Sequence, residues 1–154
     1  MDSEIAKTYG NQVRVRVCGL CRENDRLLMV NHRRITPTDF WAPPGGGVDF
    51  GQSVPETLKR EFLEETHLEI AVGTFAFGCE YINAPIHSIE LFFEVHKTSG
   101  NLRTGHDPEL QIISDVAFLS PAEIRSMSPD ILHGIFRRYT ETAQLKDLRG
   151  FYRI

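Results

Sequence analysis

The stretch REFLEETHLEI, residues 60–70, sets Arg60, Glu61, Glu64 and Glu65 within six consecutive positions. In a helix turning roughly 100° per residue, the three glutamates fall at i, i+3 and i+4, so their carboxylates share one face and repel. That repulsion costs roughly 0.2–0.5 kcal/mol per pair, and a hard cation held between the carboxylates would cancel it. Upstream lies WAPPGGGVDFGQS, residues 41–53, whose glycines let a ligand approach the backbone closely. A glycine-rich loop leading into an acidic helix face suits a divalent ion such as Mg²⁺, with phosphate oxygens of a bound molecule completing its ligands. The competing reading of Glu61, Glu64 and Glu65 is a plain solvent-facing helix side; the adjoining loop favours the metal.

The elements that position these residues follow from turn signals and periodicity. Ser53 with Glu56 three residues later is a capping box, which starts a helix at Val54 that runs to about Thr66. Leu58 and Phe62, four apart on the neighbouring stripe, anchor that helix to a core. Val13, Val15 and Val17 alternate with Arg14 and Arg16, the period of a half-buried strand, and the END turn at 23–25 leads to a second strand, RLLMV. The basic connection NHRRITPTDF then enters WAPPGGGVDFGQS, too rich in Pro and Gly for helix or regular strand and expected to be a loop. After the helix, AVGTFAFGCEYI and HSIELFFEVHK are β-rich segments around a NAP turn; even spacing puts Phe75, Phe77 and Tyr81 on one strand face. IISDVAFL is a further short strand, and Ser-Pro pairs lead helical segments at 120–127 and from 128 to about 143. The order strands, helix, strands, helix predicts an α/β (α+β) chain with a mixed sheet and helices packed on it. For the tail QLKDLRGFYRI, packing back on the body and mediating dimerisation both stay open.

A chain of 154 residues with 41% hydrophobic and 25% charged content suits one globular domain spanning 1–154. No stretch approaches the ~20 apolar residues of a membrane helix, and MDSEIAKTYGNQ lacks the basic start and apolar run of a signal peptide. A cytoplasmic protein with no membrane partner is expected. The net charge of −4 disfavours a nucleic-acid polymer as partner, while a local basic cluster could still hold a small phosphate. Cys18, Cys21 and Cys79 are an odd number in a chain too long to need disulfide staples, in keeping with a reducing compartment. CGLC at 18–21 falls on the first strand, where residues three apart face opposite sides, and the six histidines form no HxxxH pair. A zinc site is not expected.

From Gly46 to Leu68 the chain reads GGVDFGQSVPETLKREFLEETHL. This resembles the box of the Nudix hydrolase family: G, five residues, E, seven residues, REUxEExGU, with U bulky and apolar. The resemblance covers the box and the preceding PPGG turn, about a sixth of the chain. Two positions depart from it. Gln52 stands where the family has its first glutamate, keeping an acceptor oxygen but losing the charge that would hold a metal or water. His67 stands where the family has glycine, so it must either turn left-handed or let the helix end differently.

The resemblance implies a Nudix-type α/β/α sandwich and a reaction requiring Mg²⁺ or Mn²⁺, the hydrolysis of the diphosphate bond of a nucleoside diphosphate linked to another moiety. A nucleotide-sugar or ADP-ribose-like substrate is preferred; a (d)NTP pyrophosphohydrolase and a catalytically weak nucleotide-binding or regulatory module are the alternatives. By position it implies Glu61, Glu64 and Glu65 as metal ligands, with backbone at Gly45 and Gly46 as further contacts. It also implies Arg60 orienting a catalytic glutamate, a general base among Glu64, Glu65 and, more weakly, Glu109 in the loop HDPEL, and a homodimer as common among relatives. Bottom-up, Arg60 lies four residues from both Glu56 and Glu64, so a ladder along one helix side is sterically available. His32, Arg33 and Arg34 could meet substrate phosphates or form a solvated basic turn. Phe40 and Trp41 could stack on a base, although core packing is favoured, and Tyr81 near a strand end is kept as a substrate contact. Substrate choice is expected in the loops at 32–40 and 82–87.

Overall fold

The alternating valines do form a strand, and the sheet grows outward from it. The computed structural model describes residues 3–33, 38–105, 113–138 and 145–154. Its strands are β1 (Gln12–Glu23), β2 (Arg26–His32), β3 (Trp41–Ala42), β4 (Gly45–Gly47), β5 (Leu68–Asn83), β6 (Ile86–Gly100), β7 (Ile113–Leu119) and β8 (Phe151–Arg153). The helices are α1 (Ser3–Tyr9), α2 (Val54–Thr66), α3 (Pro121–Ser126) and α4 (Ile135–Arg138), with a 3₁₀ turn at Pro129–Ile131. The strand order is β3-β2-β1-β6-β5-β8, with β4 also pairing β1 and β7 pairing β2. β1 runs parallel to β6, and β5 to β8, while the other pairs are antiparallel. The sheet is therefore mixed, as expected.

Alternation along β1 sorts its side chains into two core layers. Cys18 and Leu20 join Phe77, Phe92, Ile124, Ile135 and Leu145 on one face, while Val17 and Cys21 join Leu58 and Phe62 of α2 on the other. Cys18 and Cys21 thus face opposite sides. With α2 on one face and the C-terminal elements on the other, the chain is an α/β/α sandwich.

Helix α2 has the predicted bounds, and the reason is visible at both ends. Ser53 N–H donates to Glu56 Oε2 at 2.8 Å and Glu56 N–H donates to Ser53 Oγ at 3.3 Å, the reciprocal capping box. At the other end His67 takes the left-handed conformation, φ 61° and ψ 20°, and its N–H donates to the Leu63 carbonyl at 3.1 Å. The imidazole residue does the geometric work of the missing glycine.

Three expectations need correction. The stretch around the glycines is not wholly loop: Trp41–Ala42 pairs with β2 and Gly45–Gly47 with β1, because an antiparallel neighbour supplies the hydrogen bonds that local propensity does not. Phe75 does not share the face of Phe77. The register slips between Val72 and Phe77, so Phe75 pairs Phe93 and Phe77 pairs Phe92, two residues of β5 answering one step of β6. Phe77 and Phe92 are fully buried and stacked with centroids 4.6 Å apart, whereas Phe75 meets Phe93 edge-on in the other layer and stays half exposed. The second C-terminal helical segment is only the 3₁₀ turn and the short α4 within the described residues. Ser3–Tyr9, to which the sequence reading assigns no element, form α1. The tail packs back: β8 lies along β5, and Leu145 and Leu148 are core residues. No described helix is long and apolar enough to cross a membrane.

The bulge makes a stability prediction. Phe77→Ala should cost about 3–5 kcal/mol in urea unfolding, as large core truncations do, and Phe75→Ala about 1 kcal/mol or less. Equal losses at the two positions would contradict the register.

Candidate functional site

Three glycines in succession let the end of the sheet and α2 meet. In β4, Gly45, Gly46 and Gly47 pair with Cys18, Val17 and Arg16 of β1. A Cβ on Gly46 would fall against the carboxylate of Glu61, and one on Gly47 against the guanidinium of Arg14. The strand is a thin wall with α2 carboxylates on one side and arginines of β1 on the other.

The α2 side chains gather as their spacing predicts. Glu65 is buried, and its Oε2 accepts the Gly45 N–H at 3.2 Å. The side chains of Glu61 and Glu64 are 14% and 28% exposed, so both still reach solvent. Arg60 lies between them, its Nη1 donating to Glu61 Oε1 at 2.8 Å and to Glu64 Oε2 at 3.4 Å. Its Nε and Nη2 donate to Gln52 Oε1 at 3.2 and 3.0 Å, and Asp49 stands 3.6 Å away. Gln52, where the family pattern has glutamate, thus spends its acceptor oxygen on Arg60 and on the Thr57 hydroxyl at 3.0 Å. The expected ladder of Glu56, Arg60 and Glu64 is only half present. Glu56 turns to the Ser53 hydroxyl and N–H instead, bonds that also lower its pKa, because an N-terminal carboxylate is better served by orphan donors than by a side chain one turn on.

Burial pushes the Glu61 carboxyl up, and the negative charge of Glu64 adds to this, against the opposing pull of Arg60 and Arg16. A folded protein that holds this proton more tightly than the unfolded chain loses stability as pH rises from the ordinary value of 4.5 through the raised one. The three carboxylates with the backbone oxygens of the glycine strand are a hard-oxygen set of the kind Mg²⁺ prefers, and a buried carboxylate short of positive charge fits a cation. Among the described residues, no three His, Cys, Asp or Glu side chains are already drawn together as ligands. Arg60 holds the position between Glu61 and Glu64.

Other expected residues fall elsewhere. Arg34 and Glu109 lie outside the described residues. The chain leading to Glu109 is tied to the end of α2, where Arg103 N–H donates to the Thr66 carbonyl at 3.1 Å and Gly105 N–H to that of Glu65 at 2.8 Å. Arg33 is exposed just past β2, and Tyr81 accepts from Asn83 Nδ2 at 3.1 Å near the end of β5. Among the described residues, neither forms a hydrogen bond or ion pair with the α2 carboxylates. Trp41 is a core residue, 8% exposed. Phe40 lies between the rings of His32 and His133, with centroids at 6.5 and 6.4 Å. His32 is buried beside the Arg16 charge, which pushes its pKa down to about 3, and its Nδ1 has no partner among the described residues.

Sequence reasoning missed a buried polar network on the sheet face opposite α2. Glu90 of β6 receives Arg16 Nη1 at 3.1 Å, Ser88 Oγ at 3.2 Å and His133 Nε2 at 2.6 Å. Burial alone would raise the Glu90 carboxyl, but these partners, His133 foremost, hold it at about 2. The signal was available: in the strand HSIELFFEV, Glu90 occupies the same face as buried Ser88 and Phe92.

Two outcomes test this geometry. In metal-free buffer near pH 7, Glu61→Gln should melt higher than the parent chain, and the difference should vanish once pH falls below 4.5. Gln52→Glu should give Arg60 a charged partner and stabilise the fold by about 0.5 kcal/mol, screened by salt, since the pair is partly exposed. A lower melting temperature would mean that the added carboxylate is repelled by its acidic neighbours more than it gains from Arg60.

Residues 10–139 match the NUDIX domain family. No curated protein matches the chain. Among solved structures, a MutT protein from Methanosarcina mazei Go1 superposes with a TM-score of 0.71 at 20% identity, over 90% of this chain and 98% of that one. A UDP-X diphosphatase superposes with a TM-score of 0.69 at 20% identity, covering 100% of this chain and 76% of the other. An ADP-ribose pyrophosphatase from Streptococcus suis 89-1591 gives 0.63 at 14% identity, over 90% and 98% of the two chains. At these identities the likeness is one of fold.

Proposed function

We propose that this chain, which belongs to the NUDIX family and is a hydrolase acting on pyrophosphate bonds, cleaves the diphosphate of a nucleoside diphosphate linked to a further group, such as a nucleotide sugar or ADP-ribose. The observation that carries this reading is the glycine strand, whose Gly46 admits the Glu61 carboxylate to the backbone while Gly45 receives Glu65. Glu61, Glu64 and Glu65, with backbone oxygen at Gly45 or Gly46, would hold Mg²⁺ or Mn²⁺. Bound there, the ion would supply charge neutralisation for the diphosphate oxygens and acidify a water.

The roles of the side chains follow from their surroundings. Glu65 is buried and fixed by Gly45, which suits a ligand that sets position. Glu64 keeps a partly exposed carboxylate with a single, long contact to Arg60, which suits the group that removes a proton from the attacking water. Arg60, fixed on its other edge by Gln52, holds Glu61 and Glu64 in register. Glu109 stays a second candidate for the base because Arg103 and Gly105, a few residues before it in sequence, are bonded to the end of α2.

The diphosphate-linked substrate class is supported by neighbours of the same fold named ADP-ribose pyrophosphatase and UDP-X diphosphatase. Two core layers on one shared sheet support reading 1–154 as one domain. The second reading, a binding module without turnover, draws on Gln52, whose neutral amide leaves one charge fewer for a metal.

The test is phosphate release with Mg²⁺ or Mn²⁺ from ADP-ribose, sugar nucleotides, dinucleoside polyphosphates and (d)NTPs. Turnover of a diphosphate-linked member, lost on chelation and reduced about 10²–10⁴-fold by Glu64→Gln, is expected. Turnover of (d)NTPs alone would overturn the substrate class, and metal-dependent nucleotide binding without turnover of any member would favour the module.

A further inference from the structure

We propose that Arg16 forms an anion subsite on the sheet face opposite α2, where it grips one phosphate of the substrate, with Glu90 and His133 as its positioning residues. This rests on the diphosphate reading above. Arg16 stands beside the glycine strand, paired with Gly47 on one side and with Glu90 on the other. Its neighbours of like parity along β1, Cys18 and Leu20, are buried, so an arginine here faces inward by register rather than out to solvent.

The machinery behind Arg16 is more elaborate than a charge partner requires. Glu90 and His133 are 3% and 4% exposed. The Nδ1 of His133 accepts the Ile135 N–H at 3.3 Å, so Nε2 carries the hydrogen given to Glu90, an assignment that follows from the hydrogen-bond pattern. With Ser88 and Arg16 as further donors, the Glu90 carboxylate is saturated and its position fixed. Buried ion pairs of this kind contribute little net stability, because desolvation offsets their attraction; a stiff carboxylate that aims a guanidinium is a use that fits the cost.

Arg16 is only partly enclosed. Its side chain is 24% exposed, and Glu90 takes a single contact from one of its nitrogens, Nη1. A guanidinium has five N–H donors in a planar fork suited to two phosphate oxygens. Its charge is secure: burial opposes it, but Glu90, then Cys18, Glu65 and Glu61, raise its pKa above the ordinary range. The influence of Glu61 and Glu65 also places Arg16 within electrostatic reach of the carboxylates across the glycine strand. A diphosphate laid along that strand would meet oxygen-bound cation on one side and Arg16 on the other.

The experiment is calorimetric titration of inorganic pyrophosphate with Mg²⁺ into the full chain, together with KM and kcat on whichever substrate is turned over. Arg16→Met should weaken pyrophosphate about 10- to 100-fold, the loss expected for charged hydrogen bonds, and Arg16→Lys should recover part of it. Glu90→Gln should raise KM more than it lowers kcat, and should cost nothing further in the Arg16→Met background, since it acts through Arg16. The double variant also removes the unpaired carboxylate that could unfold Arg16→Met alone. Pyrophosphate binding within twofold of the parent in both Arg16→Met and the double variant, or no binding by the parent chain, would overturn the subsite. Loss of pyrophosphate affinity at Arg16 with no turnover of any substrate would support the subsite while overturning the hydrolytic reading.

Discussion

The absence of side chains at Gly45, Gly46 and Gly47 is the constraint on which the rest of this molecule depends. A sheet and a helix ordinarily pack with a full layer of side chains between them. Here the α2 carboxylates come up to backbone instead, because a Cβ at Gly46 would occupy the place of Glu61. In the same strand Gly45 gives its N–H to Glu65. Leu58 and Phe62 press α2 onto the sheet from below and fix its height. The acidic face is therefore held against the backbone by apolar packing rather than by its own charge.

That arrangement stores electrostatic imbalance. Glu61 is buried enough to have its carboxyl raised, with Glu64 close by on the same face. Arg60 offsets part of the imbalance, and Gln52 holds Arg60 in place without adding another negative charge. A site that favours an added cation must leave some charge unbalanced in its absence, and such strain against stability is common where function resides. On the other face the opposite solution appears: Glu90 is fully compensated by three donors and needs nothing further.

NUDIX membership establishes the reaction type, and a family box does not by itself fix the substrate. The residues gathered around Glu90 and Phe40 come from the β1–β3 region, from β6 and from the turn before α4, three stretches distant in sequence. Phe40 sits between His32 and His133 rather than alone on a loop tip. If Arg16 grips a phosphate as proposed, specificity in this chain is set on the face opposite α2 as much as in loops.

What could be read without the structure was whatever depends on local spacing. The capping box of Ser53 and Glu56, the helix to Thr66, the alternation of β1 and the shared face of Glu61, Glu64 and Glu65 all follow from periods of 3.6 and 2. So did the two options for His67, of which the left-handed one occurs. What tertiary structure alone decided involves partners distant in sequence. Gly45–Gly47 is a strand only because β1 lies beside it, and Phe75 leaves the face of Phe77 only because β5 bulges against β6. Glu56 prefers its cap to Arg60, a competition between two nearby partners that spacing alone cannot rank. Arg16 reads as one more exposed arginine on an alternating strand until β6 brings Glu90, and the C-terminal region His133, to its side. Periodicity records which way a residue points along its own element; which other residue waits there is set by the packing of the whole chain.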